Sequence, residues 1–271
     1  MKSTLYPLLL PIVFAGVLLS EGCSKTTITI ENYETSSGSS GNDGGDSDTT
    51  TDGTDNTTNL VAFHATLESL NMTRSMSPIA TNTWVTIYAF HGETDNATST
   101  APMARGNYVA QQAGMLTGVS DYKMYLSNGS FDFYAVSANS SERFPTISNG
   151  ISSGLQNGVD YLWWGCANYE INGSQVTVPI VFNHAATQIV VVLSAGEGVA
   201  LQQIASATIT PPQTGSTLDL TSGAITPATG YGSTPASMGV NGLKAQYTML
   251  PLQTDTPMTL TLMLNINYDP T

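Results

Sequence analysis

Apolar and β-branched residues in this chain come in short runs. From residue 60 onward none of them keeps the three-to-four spacing of an amphipathic helix. The runs are VAFHATLE (61–68), WVTIYAFH (84–91), FDFYAVSAN (131–139), VTVPIVF (176–182), QIVVVLSA (188–195), ASATIT (205–210) and MTLTLMLNI (258–266). Between them stand Ser-Asn-Gly at 127–129 and 148–150, Asn-Gly at 157–158, 172–173 and 241–242, and Pro211-Pro212. Short strands separated by turn residues in this way predict an all-β sandwich. Asn172-Gly173 predicts a hairpin, because Asn-Gly supplies the positive φ angles of a type I′ turn. Residues 197–204 are compatible with a single helical turn.

Parity assigns faces. In FDFYAVSAN the residues Phe131, Phe133, Ala135 and Ser137 share one face, and the phenylalanines mark it as the core side. In Gln188–Leu193 every position after the glutamine is apolar, which predicts a central strand or one covered on both faces. Asn183 and His184 interrupt the longest apolar run of the folded part, VPIVFNHAATQIVVVL (178–193). They are read as the joint between a strand ending at Phe182 and one beginning at Gln188.

The first sixty residues are of another kind. Residues 1–22 carry one Lys, a run of Leu, Ile, Val and Phe, and then small residues before Cys23, the pattern of an export leader too short for a lasting membrane span. The cysteine at its end predicts a lipoprotein, with Cys23 lipidated after cleavage. Residues 23–59 are rich in Ser, Thr, Asp and Gly, and 24–59 hold seven acids against one lysine. Such a segment cannot bury enough surface to offset its ordering entropy, so a disordered acidic tether is expected.

Composition narrows the function. The chain has 271 residues, a formal net charge of −13 and only 10% charged residues. Basic residues are few and scattered, which excludes nucleic acid as a natural partner. With Cys23 lipidated, Cys166 has no disulfide partner and is expected as a small buried hydrophobe.

Candidate chemistry is thin. Gly150-Ile-Ser152-Ser-Gly154 has the spacing of a nucleophile elbow but lacks the flanking strand and helix that the elbow needs. His64, His91 and His184 share no ligand spacing, so no metal and no cofactor are expected. No pair of carboxylates flanks a recognisable cleft, and no enzymatic activity is expected. Trp163 and Trp164 in DYLWWG could stack on a sugar, although adjacent residues of a strand face opposite ways and core packing is the plainer use. Arg74, in LNMTRSMSP between the first two expected strands, sits where a protease could cut.

The order of these pieces resembles one family. A lipoprotein leader, a tether, VAFHATLE, Thr73-Arg74, WVTIYAF, FDFYAVSAN, DYLWWG and VPIVFNHAATQIVVVL follow one another as in the fimbrillins of Bacteroidetes, the Mfa-like or FimA-like subunits of type V pili. The resemblance implies two tandem β-sandwich domains of transthyretin-like topology, here 60–183 and 184–271, and a non-enzymatic structural or adhesive role in surface fimbriae. It implies export as a lipoprotein to the outer membrane, and assembly with other subunits by strand exchange after an Arg-specific cut. In this chain VAFHATLE is then the removable strand and Arg74 the cut site. The family commonly continues into a further strand, whereas this chain stops at Asp269-Pro270-Thr271, so the second sandwich is expected to be truncated or to lack that strand. The alternative is a lipid-anchored surface protein that binds host or bacterial glycans or proteins through Trp163 and Trp164.

Overall fold

Alternating β-branched and aromatic residues favour extended backbone, and in the computed structural model these runs form strands. The structure describes residues 4–12, 58–68, 76–92, 100–195, 199–252 and 257–268. The first strands are β1 (Thr4–Ile12), β2 (Thr58–Glu68), β3 (Met76–Pro78), β4 (Trp84–His91), β5 (Ala104–Ala110) and β6 (Leu116–Gly118). Next come β7 (Met124–Ser127), β8 (Gly129–Ser137), β9 (Ile147–Ser148), β10 (Ile151–Ser152), β11 (Leu162–Ile171) and β12 (Gln175–His184). The remainder holds β13 (Thr187–Val192), β14 (Val199–Ile209), β15 (Thr217–Leu218), β16 (Ile225–Thr226), β17 (Ala236–Ser237), β18 (Gly239–Asn241), β19 (Lys244–Met249) and β20 (Met258–Tyr268). The protein is all-β, and among the described residues two short 3-10 turns lie at Gln112–Gly114 and Val119–Asp121.

The largest sheet runs β3-β2-β12-β11-β8-β4-β5-β6, with β7 also paired to β2. It curls until its ends meet. Met115, just before β6, bridges His64 of β2, and β7 pairs with the first residues of β2 from Thr58↔Ser127 to Val61↔Met124. The interior is the first core, in which Phe63, Phe131, Phe133, Phe182, Ile87 and Met124 are fully buried. The phenylalanine face of β8 points into it, as parity predicted.

The other face of β8 is also buried. Tyr134 and Val136, with Tyr88 and Phe90 of β4, pack beneath Phe144, Leu155, Tyr161, Leu218, Leu220 and Leu250 in a second core. A third core lies between two smaller sheets, β13-β19-β18 and β1-β20-β14-β17, where Ile189, Val191, Ile204, Ile209, Leu260 and Leu262 meet.

Three expectations need correction. β13 is an edge strand whose outer face is open, with Val190 44% and Val192 71% exposed. Apolar residues on both faces raise β propensity without requiring two covers. Residues 199–204 belong to strand β14, because pairing with β20 satisfies their backbone more completely than one helical turn would. Asn172 is not among the positive-φ residues, while Gly173 has φ 110°. The Asn172-Gly173 turn is therefore not type I′. β11 and β12 pair only at Leu162↔His184 and Trp163↔Asn183, while β12 runs along β2 from Gln175 to Phe182.

Candidate strand-exchange site

β2 closes the curl by pairing along both of its edges, and its sequence suits that place. Asn59, Val61, Phe63 and Ala65 alternate inward and are buried, while Leu60, Ala62 and His64 lie between them at intermediate exposure. Along one edge β2 runs parallel to β12, from Leu60↔Gln175 to Leu67↔Phe182. Along the other it meets β7 at its start, Met115 at His64, and β3 from Thr66↔Pro78 to Glu68↔Met76. Parallel neighbours so far apart in sequence hold together through the ladder and the core beneath it, with no local turn to help.

Side chains add to the ladder at both ends and in the middle. The Asn59 amide donates to the Leu126 carbonyl at 3.2 Å and to Asn128 Oδ1 at 2.8 Å. The Thr66 hydroxyl donates to the Ile180 carbonyl at 3.3 Å. His64 Nε2 donates to the Ala113 carbonyl at 2.7 Å. That carbonyl is presented by a tight turn in which Ala113 and Gly114 have φ of 59° and 81°. At Gly114 a Cβ would stand 2.3 Å from the Ala65 carbonyl oxygen, so only glycine lets the turn lie this close to β2.

Phe63 anchors the strand. Its ring meets Tyr108 edge-on at 5.3 Å and Phe133 at 6.0 Å. Burying Val61 and Phe63 contributes roughly 1.5–3 kcal/mol apiece, so a vacated slot would need an equivalent filling. Burial pushes the Tyr108 phenol well above the usual tyrosine range, and the neighbouring Tyr122 raises it further. The Tyr108 hydroxyl is buried without a hydrogen-bond partner.

The other sequence candidates are dispersed. Cys23 and Arg74 lie outside the described residues. Trp164 is 7% exposed in the first core. Trp163 is half-buried. Its indole N–H donates to the Leu220 carbonyl at 2.8 Å, and its ring lies against Gly223. Ser152 is buried, and its hydroxyl accepts the Leu218 N–H at 2.8 Å, so it is committed to holding β15. Cys166 is buried in the first core. His91 stacks on Phe131 at 5.4 Å. Arg105 and Arg143 lie over the rings of Tyr88 and Trp84 at 5.4 and 4.7 Å, so both cations are held on aromatic faces. Among the described residues no group of three or more His, Cys, Asp or Glu is placed to hold a metal, and no helix is long and apolar enough to cross a membrane.

His184 ends β12, three residues before β13 begins. Its Nδ1 is 2.7 Å from Asp160 Oδ1, and Asp160 Oδ2 accepts the Asn139 amide at 2.8 Å. The joint is pinned once more where the Ala185 N–H donates to the Tyr161 carbonyl at 2.7 Å. The residues missed in the sequence are Asn59 and Asp160. Asn59 could have been found as a polar position in phase with Val61, Phe63 and Ala65, whereas Asp160 carried no local signal.

A fimbrillin-like family model matches residues 73–269. The chain belongs to the fimbrillin-like family. The match begins after β2, so β2 and the tether stand outside the part by which the family is recognised. Among solved structures, a candidate cell adhesion protein from Bacteroides uniformis is similar at 19% identity and TM-score 0.54, with 75% of this chain and 80% of that one covered. Another from Bacteroides ovatus is 14% identical at TM-score 0.56, covering 78% and 89%, and one from Bacteroides fragilis is 14% identical at 0.52, covering 78% and 88%. At these identities the likeness is one of fold. No curated protein sequence matches the chain.

Proposed function

We propose that this fimbrillin-like chain is a structural subunit or accessory adhesin of bacterial surface fimbriae, assembled by β-strand addition. Membership of the family and a fold shared with candidate cell adhesion proteins support the fimbrial or adhesive role. The observation that carries the assembly reading is the place of β2. It lies between β12 and the β7–β3 side of the curl, buries alternate residues, and is followed at once by the segment that contains Arg74. A cut after Arg74 leaves β12 with a bare edge and the first core open along one line. An extended strand from another subunit would restore both, with main-chain bonds supplying attachment and alternate side chains filling the places of Val61, Phe63 and Ala65.

In this reading the folded part is two tandem β-sandwich domains of transthyretin-like topology. The chain is exported as a lipoprotein, with Cys23 carrying the anchor to the outer membrane. More than one acyl chain at Cys23 makes that attachment stable, since a single chain binds only marginally. The alternative of a glycan-binding surface protein has less support, because Trp164 is within a core and Trp163 is packed against the 219–224 turn.

N-terminal sequencing of protein recovered from surface fimbriae tests the assembly. The expected mature N-terminus is Ser75, and Arg74→Ala is expected to leave unpolymerised chains that still hold β2. Fimbrial material that always begins at Cys23 would overturn processing at Arg74 and leave an anchoring or tip role.

A further inference from the structure

Five Asn-Gly pairs stand in the chain, at 128–129, 149–150, 157–158, 172–173 and 241–242. The dipeptide has a chemistry of its own. A glycine nitrogen, with no side chain beside it, can attack the carbonyl carbon of the preceding asparagine side chain and close a five-membered ring. The fold decides where that attack can happen, and it restrains four of the five pairs.

Asn157 is held hardest. Its Nδ2 donates to the Pro212 carbonyl and its Oδ1 accepts the Leu250 N–H, each at 2.9 Å. The Gly158 N–H that would attack donates to the Thr248 carbonyl at 2.8 Å. Asn128 Oδ1 accepts the Asn59 amide at 2.8 Å, and Gly129 begins β8 opposite Ile171. Asn149 turns the β9–β10 hairpin with φ of 50°, and the carbonyl of the buried Gly150 accepts the Leu220 N–H at 2.7 Å. Asn241 lies in the β18–β19 ladder opposite Lys244, and the Gly242 carbonyl accepts the Ile204 N–H at 2.9 Å. Asn172-Gly173 has none of these restraints. Both residues are exposed, between the end of β11 and the start of β12. Among the described residues no hydrogen bond holds the Asn172 side chain or the Gly173 N–H.

We propose that Asn172 is a self-modification site, the position at which the folded protein deamidates first. Gly173 N forms a bond to Asn172 Cγ, and the side-chain nitrogen leaves as ammonia with the proton of the Gly173 amide. Water then opens the succinimide. Attack at the side-chain carbonyl gives aspartate, and attack at the main-chain carbonyl gives isoaspartate, in which the chain runs through Cγ. Both products put a new carboxylate on this turn, adding one negative charge to a chain of formal net charge −13. The turn leads into Ser174, whose carbonyl accepts the Leu60 N–H at 3.2 Å, so the change falls beside the start of β2. The proposal does not depend on strand exchange.

Peptide mapping by mass spectrometry tests this on the full chain, warmed in mildly alkaline buffer and sampled over time. The mass gain that marks conversion of amide to acid, about one unit, is expected at Asn172. It should accumulate there about tenfold or more faster than at Asn128, Asn149, Asn157 or Asn241, which must first open locally. In the chain unfolded in urea the five sites are expected to react at similar rates, since each then has only its glycine beside it. Equal rates at Asn172 and Asn157 in the folded protein would overturn the proposal. A preference for Asn172 of the same size in urea would also overturn it, by making the reactivity a property of local sequence and not of the fold.

Discussion

Gly114 is the position where a single methyl group should have the largest effect on β2. An alanine there meets two penalties: φ of 81° and a Cβ 2.3 Å from the Ala65 carbonyl oxygen. Gly173 also has a positive φ, 110°, but a Cβ there would have nothing within 4 Å. The two substitutions therefore separate backbone strain from collision. Gly114→Ala is expected to lower the urea midpoint more than Gly173→Ala, by an amount corresponding to about 1–3 kcal/mol of overpacking. Equal effects would mean that the 111–114 turn does not bear on β2. Legibility at this scale follows whether a residue's neighbours are near in sequence. Phe131 and Phe133 were read correctly because their parity is local. His184 was placed correctly at a strand joint, since a polar pair within an apolar run marks a boundary. Its bond to Asp160, 24 residues away, follows from the fold alone.

Among the elements, β8 and β13 exchange the burial that their sequences suggested. β8 alternates Asp132 and Tyr134 with its phenylalanines, yet Tyr134 and Val136 are buried by the 144–161 and 218–225 segments packed outside the sheet. β13 reads as apolar on both faces, yet it ends its sheet with Val190 and Val192 exposed. Periodicity reports what a strand could bury, and the number of layers around it decides what is buried. Val136→Ala is thus expected to destabilise the protein by about 2 kcal/mol, at the low end for emptying a core position. Val192→Ala is expected to stay within about 0.5 kcal/mol. Thermal or urea unfolding of the two variants decides the matter, and a reversed order would contradict the layering described here.

For the whole molecule, the first core is closed by β2, a strand from the N-terminal side of Arg74. In the proposed assembly a cut after Arg74 frees β2, and the strength of the closure it makes depends on the core beneath it. The first core contains a group that makes this dependence measurable. Tyr108 touches Phe63 of β2, has its hydroxyl buried without a partner, and has its pKa driven upward chiefly by burial. Tyr88, Tyr122, Tyr134 and Tyr161 are shifted in the same direction by burial. A phenol with a raised folded pKa stays protonated after the unfolded chain has begun to ionise near pH 10, so the folded state then binds more protons than the unfolded one. The stabilisation is complete below about pH 10 and is lost as pH rises toward the folded value. Asp219 behaves in the opposite way on the acid side. Burial alone would raise its pKa, but hydrogen bonds from Thr221 and Ser222 outweigh that and hold it low. Its contribution is present above about pH 4 and declines as pH falls through the folded value. The alkaline limb gives the sharper test, because Tyr108→Phe removes the titrating hydroxyl while keeping the ring against Phe63. At neutral pH the variant is expected to be as stable as the parent or more so, since deleting an unsatisfied buried hydroxyl removes a desolvation cost. Above about pH 10 its urea midpoint should fall less steeply than the parent's. Parallel slopes would show that ionisation of Tyr108 is not what loosens the first core around β2.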